Sequence, residues 1–230
     1  MSKPLSLHKR LLDEWGMGIV SGKYAPGDRI VVDESGSGVQ ASRTISREAI
    51  RVLEAMGMVS VKRRVGATVN PPEAWNVFDP RLIAWRLEGP DAAAQRRWLA
   101  ELRVAIEPAA ARLAASRATP EQWTALTEAA IGMVGQSRQA DGEQFARYEA
   151  DFHRTLLVAS GNPMFAALGK VVAEIVHGHR AQAPATATPR LVRWHVDLAG
   201  AIQAGDPATA VAAALAIVEE SEEPIEDSAE

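Results

Sequence analysis

The 230-residue chain has no cysteine. That absence excludes a disulfide framework, a thiolate zinc site and a cysteine nucleophile, so any metal must be held by nitrogen and oxygen ligands. The chain also lacks a run of about 18 apolar residues and the basic, apolar, small-residue succession of an export signal. Membrane insertion and export are therefore not expected, and a cytoplasmic protein is. Positive charge is in short supply as well: 25 Lys and Arg stand against 29 Asp and Glu, a net charge of -4. This would argue against nucleic-acid binding only if charge were evenly spread, because a contacting face acts through its local field. Residues 1–70 instead carry 11 Lys and Arg against 7 Asp and Glu, while residues 71–230 carry 14 against 22. Within the basic third, Arg43, Arg47, Arg51, Lys62, Arg63 and Arg64 fall in 22 residues opposed only by Glu48 and Glu54, a candidate phosphate-binding face.

With 47% hydrophobic residues the chain can bury a full core, and its length suits two modest domains better than one. Leu5, Leu11, Leu12, Trp15, Ile19 and Val20 recur at helical spacing, and Gly22, Pro26 and Gly27 stop the pattern. Asp33 to Gln40 contains Gly36, Ser37 and Gly38, so a helix there needs tertiary support, each glycine costing about 1 kcal/mol relative to alanine. Ser42 reads as the N-cap of a third helix. Its stripe of Ile45, Ala49, Ile50, Leu53 and Met56 ends at Gly57, and Arg43, Arg47 and Arg51 lie on the opposite face. MVSVKRRVGATV then has the pattern of a small hairpin with a basic turn containing Gly66.

These pieces predict a mainly α protein: residues 1–72 form a winged helix-turn-helix of three helices plus a β-hairpin wing, and 73–94 a tryptophan-rich linker helix. Residues 95–219 form an all-α antiparallel bundle of Ala- and Leu-rich amphipathic helices, broken at Thr119 with Pro120, Gly161 to Pro163, Pro184 to Pro189, and Gly205 to Pro207. Residues 220–230, dense in acidic side chains, are expected to be a disordered tail.

In the first domain, an arginine fork suits guanine edges or phosphates, and the first turn of a recognition helix enters the major groove. Arg43 and Arg47 share a face; Ser42, Thr44 and Ser46 add short donors; Lys62, Arg63 and Arg64 belong to the wing. The same arginines also suit the merely solvated face of an amphipathic helix. The succession YAPGDRI and ASRTISREAIRVLEAMGMVSVKRRVGATV closely resembles the winged domain of the GntR family of bacterial regulators over about residues 5–70. The resemblance implies operator contacts by Arg43 and Arg47, neighbouring contacts by Ser42 and Thr44, and a wing-tip glycine at Gly66. Arg64 departs from the pattern where many members have a first wing glycine, and the GSG run replaces a stronger second helix.

YEADFHRTLLVASGNP, WHVDLAGAI and QAGDPATAVAA resemble the FCD-type ligand domain of the FadR-like GntR subfamily over about residues 95–218. In that family four positions hold a metal ion, and here they are Glu149, His153, His195 and Ile217. Glu149 and His153 sit at i, i+4, a spacing that lets a carboxylate and an imidazole meet one ion, but Ile217 cannot ligate. A divalent metal (Zn, Ni or Mn) on Glu149, His153 and His195 thus stands beside a metal-free pocket that binds a hydroxylated acid by hydrogen bonds. Arg103 is a candidate anchor for the carboxylate of such an effector, or the ion-pair partner of Glu107. EAWNVFDPRLIAWRLE and ELRVAIEPAAARLAASRAT resemble the galactonate-responsive members of the subfamily, which implies a sugar acid or hydroxy acid as effector. The resemblance therefore implies no enzyme but a transcription regulator, a repressor that binds palindromic double-stranded operator DNA as a homodimer under control of a small anionic metabolite. A hydrolytic metal centre on Glu149, His153 and His195 would leave the N-terminal domain unexplained, as would a pure scaffold packed through Trp75, Trp85 and Trp98.

Overall fold

A computed structural model describes residues 7–30, 43–62, 66–137, 142–174 and 188–222, with side chains through Glu220. The chain divides into two compact units, residues 1–95 and 96–230. The segment expected to form a weak second helix, together with Ser42, Arg63 and Arg64, lies outside the described residues, as do the acidic residues after Glu222.

The first unit forms around the stripes read from the sequence. Helix α1 (Leu7–Val20) buries Leu11, Leu12, Trp15 and Ile19, and α2 (Arg43–Ala55) packs Ala49, Ile50 and Leu53 against them. The second helix stops where Gly57 takes φ +74° and the Met58 amide donates back to the Leu53 carbonyl at 2.9 Å. That αL geometry is cheap only for glycine. Strands β1 (Arg29–Ile30), β2 (Val59–Lys62) and β3 (Gly66–Val69) form an antiparallel sheet in the order β1-β3-β2, with Val59 opposite Val69 and Lys62 opposite Gly66. The expected hairpin is thus extended by a strand too short to carry a two-residue periodicity. Ile30, Val59, Ala67 and Val69 are the sheet's contribution to the core.

The tryptophan-rich segment packs into the core of the first unit. Asp79 caps α3 (Pro80–Glu88) by accepting from the Arg81 amide, and Leu82 and Trp85 enter the same core as α1. The Trp85 ring lies on Gly16, where a side chain would collide with it, and its Nε1 donates to Asp13 at 3.1 Å. A glycine in mid-helix, costing about 1 kcal/mol, is here the condition for burying an indole.

In the second unit the helices are α4 (Ala92–Arg117), α5 (Pro120–Gln136), α6 (Gly142–Ala159), α7 (Pro163–Ala167), α8 (Pro189–Ala204) and α9 (Pro207–Glu222). The expected breaks at Pro120, Pro163, Pro189 and Pro207 are helix starts, each proline at the first position after a capping Thr119, Asn162, Thr188 or Asp206. A further break between α5 and α6 has no proline to announce it. Helix α5 packs on α6 and α8, and α8 packs on α9. Small residues such as Ala129, Ala130, Ala150, Ala199 and Ala213 fill the interior beside Phe152, Leu156, Leu157 and Leu198. The last helix also corrects the expected start of the tail. Glu220 remains helical and nearly buried, accepting from Thr188 Oγ1 at 2.8 Å and pairing with Arg190 at 3.1 Å. An acidic side chain near the end of α9 is held by the start of α8.

Candidate functional site

On the first unit, Arg43, Arg47 and Arg51 recur every four residues along the exposed side of α2. Arg51 is tied to Glu48 at 2.7 Å, whereas the side chains of Arg43 and Arg47 make no hydrogen bond or ion pair among the described residues. Thr44 is exposed beside them and Lys62 is exposed at the end of β2, with Gly66 opposite it at φ +92°. Ser46 does not share this exposed face: it is 4% exposed and lies one residue after the half-buried Ile45.

On the second unit, the structure brings together the four residues singled out for a ligand. Arg103 comes from α4, Glu149 and His153 from α6, and His195 from α8, and none is more than 4% exposed. One ligand atom from each of Glu149, His153 and His195 lies within 4.8 Å of the others. The two Nε2 atoms are 3.4 Å apart, and Arg103 Nη2 is 3.3 Å from His153 Nε2. Arg103 also forms the pair that the sequence offered as its alternative role, with its Nε 2.9 Å from Glu107 Oε1.

The neighbours decide which ring nitrogens carry protons. His195 Nδ1 lies 2.8 Å from the Leu191 carbonyl, which can only accept, so the proton is on Nδ1 and Nε2 presents a lone pair. Burial, reinforced by His153, pushes the His195 pKa down to about 4 against the pull of Glu149, so this imidazole is neutral. Arg103 can only donate, so its contact to His153 Nε2 is a hydrogen bond only if that atom, too, is a lone pair. Two lone pairs then face each other at 3.4 Å with a carboxylate beside them.

That donor set suits a divalent cation: two imidazole nitrogens and one carboxylate, with His195 oriented by a backbone carbonyl as metal-binding histidines commonly are. The Arg103 N–H shares the His153 lone pair and must turn aside for an ion to take it. Ile217 is fully buried and supplies no fourth ligand.

Two participants escaped the sequence. Phe152 stands edge-on to both rings, with centroids 4.9 Å from His195 and 5.8 Å from His153. Glu107, legible only as the i, i+4 partner of Arg103, also places Oε2 3.1 Å from His153 Nδ1, an ion-pair distance at which the ring N–H is not aimed squarely at the oxygen. Burial by itself would raise the Glu107 pKa, but Arg103 and then His153 more than offset it and hold this carboxyl well below the usual range.

Residues 8–69 match the family described as bacterial regulatory proteins, gntR family, and residues 99–220 match the FCD domain. The galactonate operon transcriptional repressor of Escherichia coli K12 is 30% identical over 216 residues, 92% of this chain and 93% of that one. The transcriptional regulator LutR of Bacillus subtilis 168 is 29% identical over 86% of this chain and 91% of its own. Among solved structures, Lar, which controls the Listeria monocytogenes agr system, shares the fold with a TM-score of 0.61 at 18% identity over 96% of each chain. These families and relatives are regulators of transcription, not enzymes. The chain belongs to the GntR family of bacterial transcription regulators, with a DNA-binding domain at its N-terminus and an FCD domain after it.

Proposed function

We propose that this regulator is a cytoplasmic repressor of a sugar-acid or organic-acid catabolic operon, binding a palindromic operator as a homodimer and releasing it on binding a small carboxylate. The observation that carries the reading is the buried convergence of Arg103, Glu149, His153 and His195, a charged cluster that core packing does not require. Its donors and acceptors match a hydroxylated carboxylate, and the likeness to the galactonate repressor makes galactonate and related aldonic acids the first effectors to try. Glu149, His153 and His195 would hold a Zn, Ni or Mn ion, which supplies positive charge to the effector's carboxylate and hydroxyl oxygens. On the other unit, Arg43, Thr44 and Arg47 face the major groove while Lys62 and the wing meet the backbone. Two-fold symmetry doubles the few base contacts one short helix offers.

Fluorescence anisotropy with DNA from the protein's own promoter region, with and without aldonic and hydroxy acids, tests the reading together with sedimentation. Salt-dependent binding by a dimer, reversed by one of these acids, is expected. A monomer on DNA removes the symmetric-operator part, and binding that no acid alters removes the effector part.

A further inference from the structure

We infer that Glu107 is a positioning residue for the ligand cluster: it holds the proton of His153 on Nδ1, and so keeps Nε2 turned to the site as a lone pair. The inference rests on the proposed reading of the cluster as a ligand site, but its core claim concerns the protein alone. Glu107 is 1% exposed on α4, with Oε1 2.9 Å from Arg103 Nε and Oε2 both 3.4 Å from Arg103 Nη2 and 3.1 Å from His153 Nδ1. Both of its oxygens accept from Arg103, and Oε2 in addition sets its negative charge at ion-pair distance from His153 Nδ1, although the ring N–H is not aligned for a hydrogen bond. On the far edge of the same imidazole, Arg103 Nη2 and His195 Nε2 approach His153 Nε2 at 3.3 and 3.4 Å. The carboxylate and the guanidinium therefore specify the same tautomer from opposite sides of the ring.

Glutamine at this position would break that agreement without changing shape. Its single oxygen can serve only one of the two donors. Arginine cannot give up a proton, whereas a neutral imidazole can move its proton from one nitrogen to the other. The amide oxygen therefore goes to Arg103 Nε, the NH2 group faces His153 Nδ1, and the histidine proton shifts to Nε2, breaking the Arg103 Nη2 contact there. There it points at the His195 lone pair and occupies the place where a cation would be held. Glu107 thus determines whether the cluster attracts a cation or is closed by a proton, although it does not itself reach the ligand atoms.

Long-range proton–nitrogen spectra of the full chain labelled with 15N-histidine, His153 being assigned by its loss in His153→Gln, test this. In the parent protein His153 should show a protonated Nδ1 and an unprotonated Nε2, and Glu107→Gln should reverse the two. Zn2+ titrated alone should bind Glu107→Gln about tenfold to hundredfold more weakly, the usual effect of losing a residue that orients a ligating histidine. Glu107→Asp, which keeps two acceptor oxygens, should retain the parent tautomer and most of the affinity. A parent His153 carrying its proton on Nε2, or on both nitrogens, overturns the inference whether or not any variant folds. An unchanged tautomer in folded Glu107→Gln does so as well. If the parent protein takes no Zn2+, the cation reading of the cluster fails, and the spectra alone decide the role of Glu107.

Discussion

Replacing Arg103 by methionine tests the electrostatics of the cluster most directly. Arg103 and Glu107 are 2% and 1% exposed and form the shortest ion pair of the site at 2.9 Å. Methionine keeps most of the volume, so the loss is chiefly of charge. Removing one partner of a buried ion pair strands the other and costs about 3 to 5 kcal/mol, whereas exchanging both for apolar residues of similar size is often nearly neutral. Arg103→Met should therefore lose about that much stability in urea unfolding at neutral pH, and Arg103→Met with Glu107→Met should recover most of it. The pH dependence gives a second check. In the parent protein the Glu107 pKa is held below its ordinary 4.5, so its contribution is complete above that value and is lost as pH falls through and below it. In the variant the burial that opposes this shift is no longer offset by Arg103, so the folded pKa lies above the unfolded one and stability falls as pH rises. The gap between the two proteins should thus widen from pH 5 to pH 8. A loss under about 1 kcal/mol at pH 8, or a gap that narrows as pH rises, would refute the account of a buried and mutually dependent pair.

In the first unit, Arg43→Ala and Arg47→Ala should each weaken operator binding by about 1 to 3 kcal/mol without altering the helical signal. Arg51→Ala, already paired with Glu48, should cost less in the same anisotropy titration, and equal effects from all three would assign the stripe to general charge. Gly16→Ala gains helix propensity of about 1 kcal/mol but drives a methyl into the Trp85 ring, so thermal unfolding should show a net loss. Combining it with Trp85→Leu should relieve the clash, and a stabilised Gly16→Ala single variant would show that the indole does not sit on α1.

What the sequence made legible was local. The stripe that forms α2, its stop at Gly57, the prolines that start helices and the pairing of Glu149 with His153 all follow from relations within a few residues. The packing that the sequence left unread depends on partners beyond the local pattern. The tryptophan-rich segment joins the first core because Trp85 finds Asp13, 72 residues away, and no composition rule reaches that far. Glu220 stays in its helix because Thr188 and Arg190 receive it, although the acidic run around it is the ordinary mark of a tail. Ser46 is buried because its neighbours on the apolar stripe carry it inward, which an inventory of short polar residues does not register.

Glu107 is the most informative of these cases. Within α4 it has one partner, and its i, i+4 relation to Arg103 is a complete and uninformative explanation of both residues. Only when α6 is placed beside α4 does the same carboxylate reach His153, and only when α8 is added does the far side of that ring meet His195. Each helix alone offers a polar residue with a local excuse; together they offer two facing imidazole nitrogens beside a buried carboxylate. A residue that satisfies a local rule and a distant partner at once constrains both, because neither contact can be optimised without the other. For that reason the proton on His153, and with it the kind of ligand the cluster accepts, is set by packing between helices and not by the motif that first marked the histidine.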